Sequence, residues 1–361
     1  MAYTSGSAAT WGAVMSALDT FMTGTPGSTV LGGFTQDDYD DGATTASEGY
    51  AAWHKDSLYV GVKWIANDPQ YMSIHQATGY TAGQYPGDHT GDSGNGYNDT
   101  VGSGTVFGVN GSTGSSSLGS FRCINGIDET SPFNYYFFGD DTAETYVHVV
   151  VEVATDTYRH FGWGNMDKFH DWTGGEYCYG HFQEEATNTT EGTDTGCQIS
   201  FDGLSTTNVT SLQRRYATMR VTGFGHQDVG EVYMQMGGSR TSDEGTHDTD
   251  TAGNYKRLMF GGFRGGPIAY LLGPYRADVA TGHIPMYPFT VFARDYTTGD
   301  EKFYLMGKIP DTRGIDIYNF SPAQEVTIGS DTWQIFPASR RTEDAVEGRT
   351  YYQGIAYKKI T

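Results

Sequence analysis

The sequence predicts a mainly β protein: short antiparallel strands in sandwich- or barrel-like sheets, one N-terminal amphipathic helix, and long Gly/Ser/Asp-rich loops. Three observations lead there. Gly is abundant at 50 of 361 residues, and Tyr and Phe reach 26 and 19. Glycine supplies tight turns, while aromatic side chains suit a half-buried pleated surface. The hydrophobic share is low at 37%, and the apolar residues fall in short runs separated by turn residues.

The helix is predicted at the start. Trp11, Val14, Met15, Leu18 and Phe21 recur at helical spacing. Thr10 can cap its first turn and Gly24 can end it. Turn-rich sequence follows, with the acidic cluster Asp37-Asp38-Tyr39-Asp40-Asp41. Ser57–Ile65 reads as the first strand. Residues 80–120 are dominated by Gly, Ser, Thr, Asp and Asn and read as a loop or insertion.

Strand signals return at Phe133–Phe138 and Tyr146–Val153. A short turn, Ala154–Thr157, then joins the second of these to a hairpin partner at Tyr158–Phe161. Tyr177–Phe182 is the next strand. Polar sequence at 183–197 precedes further short strands at Ala217–Thr222, Glu231–Met236, Pro288–Ala293, Lys302–Met306, Thr332–Phe336 and Tyr351–Tyr357. Four segments result. Residues 1–79 hold the helix and first strands, and 80–120 form the low-complexity loop. Residues 121–210 are an acidic β region, and 211–361 a charge-neutral C-terminal β region. No repeat of fixed period occurs.

Charge divides the chain. Residues 1–210 carry 26 Asp/Glu against 5 Lys/Arg, and residues 211–361 carry 17 of each. The acidic part repels phosphate, so sequence-specific nucleic-acid binding is not expected. It is expected to face solvent or a nucleic-acid channel, with the neutral part contacting other subunits. The start has no basic segment followed by an apolar core, and no apolar run reaches membrane-spanning length. Cys123, Cys178 and Cys197 fit neither a disulfide framework nor a zinc motif, and are expected to be unlinked thiols of a reducing cytosol.

Four places carry residue types suited to chemistry. His160, His170 and His181, with Asp167, Asp171 and Cys178, are the densest set of possible metal ligands, but no pair has zinc spacing. Asp248-Thr-Asp-Thr-Ala-Gly253 opens like a calcium loop yet has Ala252 and Met259 where oxygens belong. Asp88, Asp92, Asn95 and Asp99 form another oxygen-rich cluster without the pattern. Gly261-Gly-Phe-Arg-Gly-Gly266 lacks the lysine of a phosphate loop. No nucleophile elbow, P-loop or dinucleotide fingerprint is present. The expectation is a protein that is not an enzyme, with no catalytic residue, metal or cofactor.

The most distinctive segment is 158–182, which contains Phe161-Gly-Trp-Gly164, Lys168 and Trp172-Thr-Gly-Gly175. It resembles a pattern of tailed-bacteriophage virion proteins: a hairpin strand, Phe-Gly-x-Gly, a lysine, then Trp-Thr-Gly-Gly. Tyr3-Thr-Ser-Gly6 before the helix and Leu58-Tyr-Val-Gly-Val62 resemble the same proteins. So do Tyr304-Leu-Met-Gly-Lys-Ile-Pro310 and Asp331-Thr-Trp-Gln-Ile-Phe-Pro-Ala338. Residues 80–120 and 183–197 do not match them. The resemblance implies a structural component of a virion, of tail or baseplate type, assembled in the host cytoplasm as a symmetric oligomer with other virion subunits. It implies no catalytic residue. A host-receptor or glycan-binding tail protein is the alternative, since exposed aromatic faces stack on sugars. A head decoration or head–tail connector protein is a further one. Within the motif, Gly162 and Gly164 are expected to bend the chain, with Trp163, Phe169 and Trp172 filling a small core beneath the bend, and Gly174-Gly175 to launch the next strand. The helix and the 80–120 loop are the elements expected to be ordered by neighbouring subunits.

Overall fold

A computed structural model of the chain describes residues 1–41, 48–65, 72–77, 133–182, 198–199, 217–222, 232–236, 256–260, 286–295, 302–317, 319–337, 343–344, 349–350 and 353–359. Among the described residues the protein is mainly β, with antiparallel sheets and one helix near the N-terminus, as the composition and turn spacing predict.

Strand β1 is Ala2–Ala8 and helix α1 is Trp11–Thr23. Strands β2 (Thr35–Asp40), β3 (Glu48–Lys55), β4 (Leu58–Ile65) and β5 (Met72–Ala77) follow. Next come β6 (Phe133–Asp140), β7 (Tyr146–Ala154), β8 (Thr157–Asn165), β9 (Asp167–Lys168) and β10 (Thr173–Phe182). The later strands are β11 (Gln198–Ile199), β12 (Ala217–Thr222), β13 (Val232–Met236), β14 (Lys256–Phe260), β15 (Met286–Asp295) and β16 (Lys302–Asp316). The last are β17 (Gln324–Ile328), β18 (Asp331–Pro337), β19 (Glu343–Asp344), β20 (Arg349–Thr350) and β21 (Gln353–Lys359).

One sheet runs β1-β6-β7-β8-β10-β12-β13-β14-β15-β16-β21-β18-β17, with β11 on β10 and β9 on β16. All of its pairings are antiparallel except β13–β14. A second sheet is the meander β2-β3-β4-β5.

Alternation along the strands explains how the layers stack, since successive side chains face opposite sides. On one side of β6–β8 and β10, Phe133, Phe137, Val147, Val149, Val151, Phe161, Trp163 and Cys178 pack against α1 and the β2–β5 sheet. On the other side Phe138, Val150, Tyr158, Tyr177 and Tyr179 pack against Met306, Ile309, Phe336, Ile355 and Tyr357. Those partners belong to the far end of the same sheet, which therefore folds back over its own centre. The central strands are buried on both faces.

Thr10 caps α1, accepting from the Ala13 amide at 3.2 Å. Gly24 ends it, donating to the Thr20 carbonyl at 3.0 Å. The amides of Leu31, Gly32 and Phe34 cover the carbonyls of Phe21 and Met22, which would otherwise lack partners. Trp11, Val14, Met15, Leu18, Phe21 and Met22 are all buried. The helix thus finds its apolar cover within its own chain. Trp53 of β3 stacks on Trp163 at 6.0 Å and donates from Nε1 to Asp19 of the helix at 2.7 Å.

Several expectations need correction. The acidic cluster after the helix is largely strand β2, not turn, paired to β3 with a bulge between Gln36 and Asp38. Gly162 and Gly164 do not bend the chain but lie within β8, paired on both sides. Trp163, Phe169 and Trp172 do not share a core. Trp163 is buried on the helix side, Trp172 is half-buried, and Phe169 is 39% exposed. Gly174 and Gly175 lie inside β10, which begins at Thr173. The 80–120 loop, the 183–197 segment and both calcium-like loops lie outside the described residues.

Candidate functional site: a buried histidine–tyrosine joint

Strand β8 places His160, Gly162 and Gly164 on the face that meets the C-terminal strands. In the adjoining strands, Gly162 sits between His148 and Tyr179, and Gly164 between Tyr146 and Tyr177. Two rows of polar aromatic rings thus flank positions that have no side chain. The space is taken: a Cβ on Gly162 would lie 2.4 Å from the Val147 carbonyl and 2.9 Å from Tyr179 Oη. The glycines of the Phe-Gly-Trp-Gly motif make room for large rings to close over the strand.

His148 places Nδ1 2.8 Å from Tyr179 Oη and Nε2 3.0 Å from the Pro310 carbonyl. His160 repeats the arrangement, with Nδ1 2.9 Å from Tyr357 Oη and Nε2 2.9 Å from the Pro337 carbonyl. A carbonyl only accepts, so each Nε2 carries the hydrogen, and each neutral Nδ1 accepts from a tyrosine. Both imidazoles are fully buried. Burial penalises their charged form and lowers each pKa to about 3, although the backbone carbonyl acts the other way. Burial raises the Tyr179 and Tyr357 phenols above their ordinary pKa.

A bulge aims the Pro310 carbonyl. Strand β16 pairs Lys308 with Thr290 and Arg313 with Pro288, so residues 309–312 oppose Phe289 alone. Within the bulge Asp311 has φ +46°, a conformation that Asp tolerates better than most residues. Its carboxylate accepts from Tyr146 Oη at 2.7 Å. Burial and then the neighbouring carboxylate hold the Tyr146 phenol well above its ordinary pKa.

The rest of the motif clamps the same strand. The Phe169 amide donates to the Met306 carbonyl at 3.1 Å, and Trp172 Nε1 reaches that carbonyl at 3.3 Å. Lys308 pairs with Asp167 at 2.9 Å. Lys168 donates to the Trp172 carbonyl at 2.9 Å, with its ammonium 5.3 Å from the indole centroid. Gly307 permits this approach, because a Cβ there would meet the Asp167 carbonyl at 2.4 Å.

Of the residues weighed as metal ligands, His160 has both ring nitrogens engaged in this joint. His170 and Asp171 are exposed, and Cys178 is a buried thiol on the opposite face of β10. The side chain of His181 lies outside the described residues, as do Cys123 and Cys197. Among the described residues no three His, Cys, Asp or Glu side chains cluster closely enough to hold a metal ion. No helix among them is long and apolar enough to cross a membrane. Sequence reasoning missed His148, Tyr179, Tyr357 and the two proline carbonyls. One signal was present: His148 interrupts the run Tyr146-Val-His-Val-Val-Val151 at an inward position, where a polar residue needs a dedicated partner.

Compared with known protein families and with curated proteins, the chain matches none.

Proposed function

We propose that this chain is a structural component of a tailed-phage virion, of tail or baseplate type, which acts by assembling with other subunits in a symmetric array. The observation that supports the reading is the convergence of segments that resemble those of virion proteins. Residues 158–182, 304–310 and 331–337 meet in one joint, through His160 with the Pro337 carbonyl and through Phe169 and Trp172 with the Met306 carbonyl. The conspicuous residues of the motif pack and tie strands together, which suits a protein whose task is to hold a shape. The tryptophans favour this over the glycan-binding alternative. Trp11, Trp53, Trp64, Trp163 and Trp333 are buried, and Trp172 is half-buried with Lys168 beside its ring.

The test is mass spectrometry of gradient-purified particles of the phage that encodes the chain, combined with an electron-microscopy map of those particles. The expected result is peptides from this chain at many copies per particle and density for its folded-back sheet in the tail or baseplate. Particles that lack the chain would overturn the proposal.

A further inference from the structure

The large sheet ends at β1 and β17, and β2 is an edge of the smaller one. An edge strand presents unpaired backbone groups, which another chain can take up unless something blunts them. The edge of β1 is met by its own chain, since the Tyr3 amide donates to the Ser28 carbonyl at 2.9 Å. Strand β2 carries Asp37, Asp38 and Asp40, which repel a like strand. Strand β17 has neither protection. Among the described strands it pairs with β18 alone, without a bulge. Its sequence QEVTI holds no proline or lysine, and its charged residue, Glu325, is paired with Lys359. All of its residues except Val326 are exposed, Ile328 by 44%.

The hairpin fixes which backbone groups are open. Ile328 pairs with Asp331 across the turn Gly329-Ser330, where Gly329 has φ +63°. Residues that flank a turn of this length exchange hydrogen bonds, and the pattern alternates along the ladder. Ile328, Val326 and Gln324 therefore bond toward β18, and Glu325 and Thr327 aim their N–H and C=O groups outward. Side chains alternate as well. Val326 shares a face with Trp333, which it opposes and whose apolar cluster it joins. Glu325 and Thr327 lie on the other face, with Lys359 beside Glu325.

We propose that the open edge of β17 is the docking site for a second copy of this chain, which pairs with it antiparallel about a twofold axis at Val326. This register sets Glu325 opposite Thr327 of the partner subunit, so every outward N–H and C=O of the strand finds a partner. Val326 meets its own copy and extends the Trp333 cluster across the axis. Gln324 meets Ile328 of the partner subunit and covers that exposed side chain. An axis at Glu325 would oppose two carboxylates directly, which is destabilising. An axis at Thr327 would leave Glu325 facing the turn at Gly329. The central register avoids both. The contact is isologous, so it closes as a dimer. One strand pair buries little area, and association is expected to depend on concentration.

The experiment is sedimentation velocity of the full chain over a range of concentrations, with circular dichroism to verify folding. The wild type is expected to pass from monomer to dimer as concentration rises. Thr327→Glu places a carboxylate opposite Glu325 of the partner subunit and is expected to weaken the dimer by about tenfold. Thr327→Lys, at the same exposed position, opposes unlike charges and is expected to keep it. Val326→Cys brings two thiols face to face at the axis. Mild oxidation of that variant is expected to give more covalent dimer than oxidation of the wild type, whose natural cysteines set the background. A wild type that stays monomeric would give the edge to another partner and overturn the pairing. Equal association of the two Thr327 variants would also overturn it, as would a Val326→Cys dimer yield no higher than background. Val326 is half-buried, so if Val326→Cys fails to fold, the exposed Thr327 variants decide. The pairing is measured on the isolated chain. Its failure therefore leaves the virion reading standing, and absence of the chain from particles leaves the pairing standing.

Discussion

Tyr179 donates its phenolic hydrogen to Nδ1 of His148 across 2.8 Å, and it does so over Gly162, the residue that separates them in the sheet. The bond exists because the intervening residue has no side chain. Gly162→Ala is therefore expected to destabilise the protein by about 1–3 kcal/mol, the usual range for an overpacked core. Urea unfolding measures this. An unchanged midpoint would show that the rings move aside freely, and the role given to the motif glycine would be wrong.

The buried histidines set a pH dependence. An unfolded histidine has a pKa near 6.5, and burial lowers His148 and His160 to about 3 in the folded protein. Between those values the unfolded chain binds protons that the folded chain refuses. Their contribution to stability is thus complete above about pH 6.5 and is lost progressively as pH falls toward 3, by up to about 1.4 kcal/mol per pH unit for each ring. Urea midpoints measured at pH 7, 6 and 5 should fall in that order. Equal midpoints at pH 7 and pH 5 would mean that the rings are not buried as neutral groups.

Asp311 occupies a left-handed position and accepts from Tyr146. Asp311→Asn preserves the tolerance for that backbone and an acceptor oxygen, so little change in thermal midpoint is expected. Asp311→Val loses both. A β-branched residue at positive φ together with a lost acceptor is expected to cost about 2–4 kcal/mol. Similar midpoints for the two variants would contradict the bulge geometry.

The helix is held by its own chain, so its core positions should behave as ordinary interior sites. Leu18 is fully buried, and Leu18→Ala is expected to cost about 2–5 kcal/mol in the isolated chain. An unchanged midpoint would mean that the apolar face of α1 does not pack within its own chain.

Much of the fold was legible where a strand has one or two apolar faces. Ala217–Thr222 is a strand with the bounds read from the sequence, and the Tyr146–Val153 reading falls one residue short of β7. Strands β1, β2 and β17 were missed for a common reason: they lie at sheet edges. Their sequences, AYTSGSA, TQDDYD and QEVTI, lack a continuous apolar stripe, because little of each strand is covered. The joint was legible only in fragments. Glycines, a histidine within a valine run and two distant prolines each have commonplace local explanations. Their meaning depends on the sheet folding back on itself, and no local pattern encodes that.

The joint also constrains the order in which the protein can mature. His148 bonds to a carbonyl 162 positions later, and His160 to a hydroxyl 197 positions later. While the chain is being synthesised, the hairpin β7–β8 therefore emerges long before the strands that cover it. Contacts this distant in sequence form slowly, since a long loop must close before they are rewarded. During that interval two imidazoles and several tyrosines wait on an open sheet face, exposed to pairing with the wrong strand or another nascent chain. Yield of soluble protein should then depend on synthesis temperature and on chaperone supply more steeply than the stability of the finished fold alone would require.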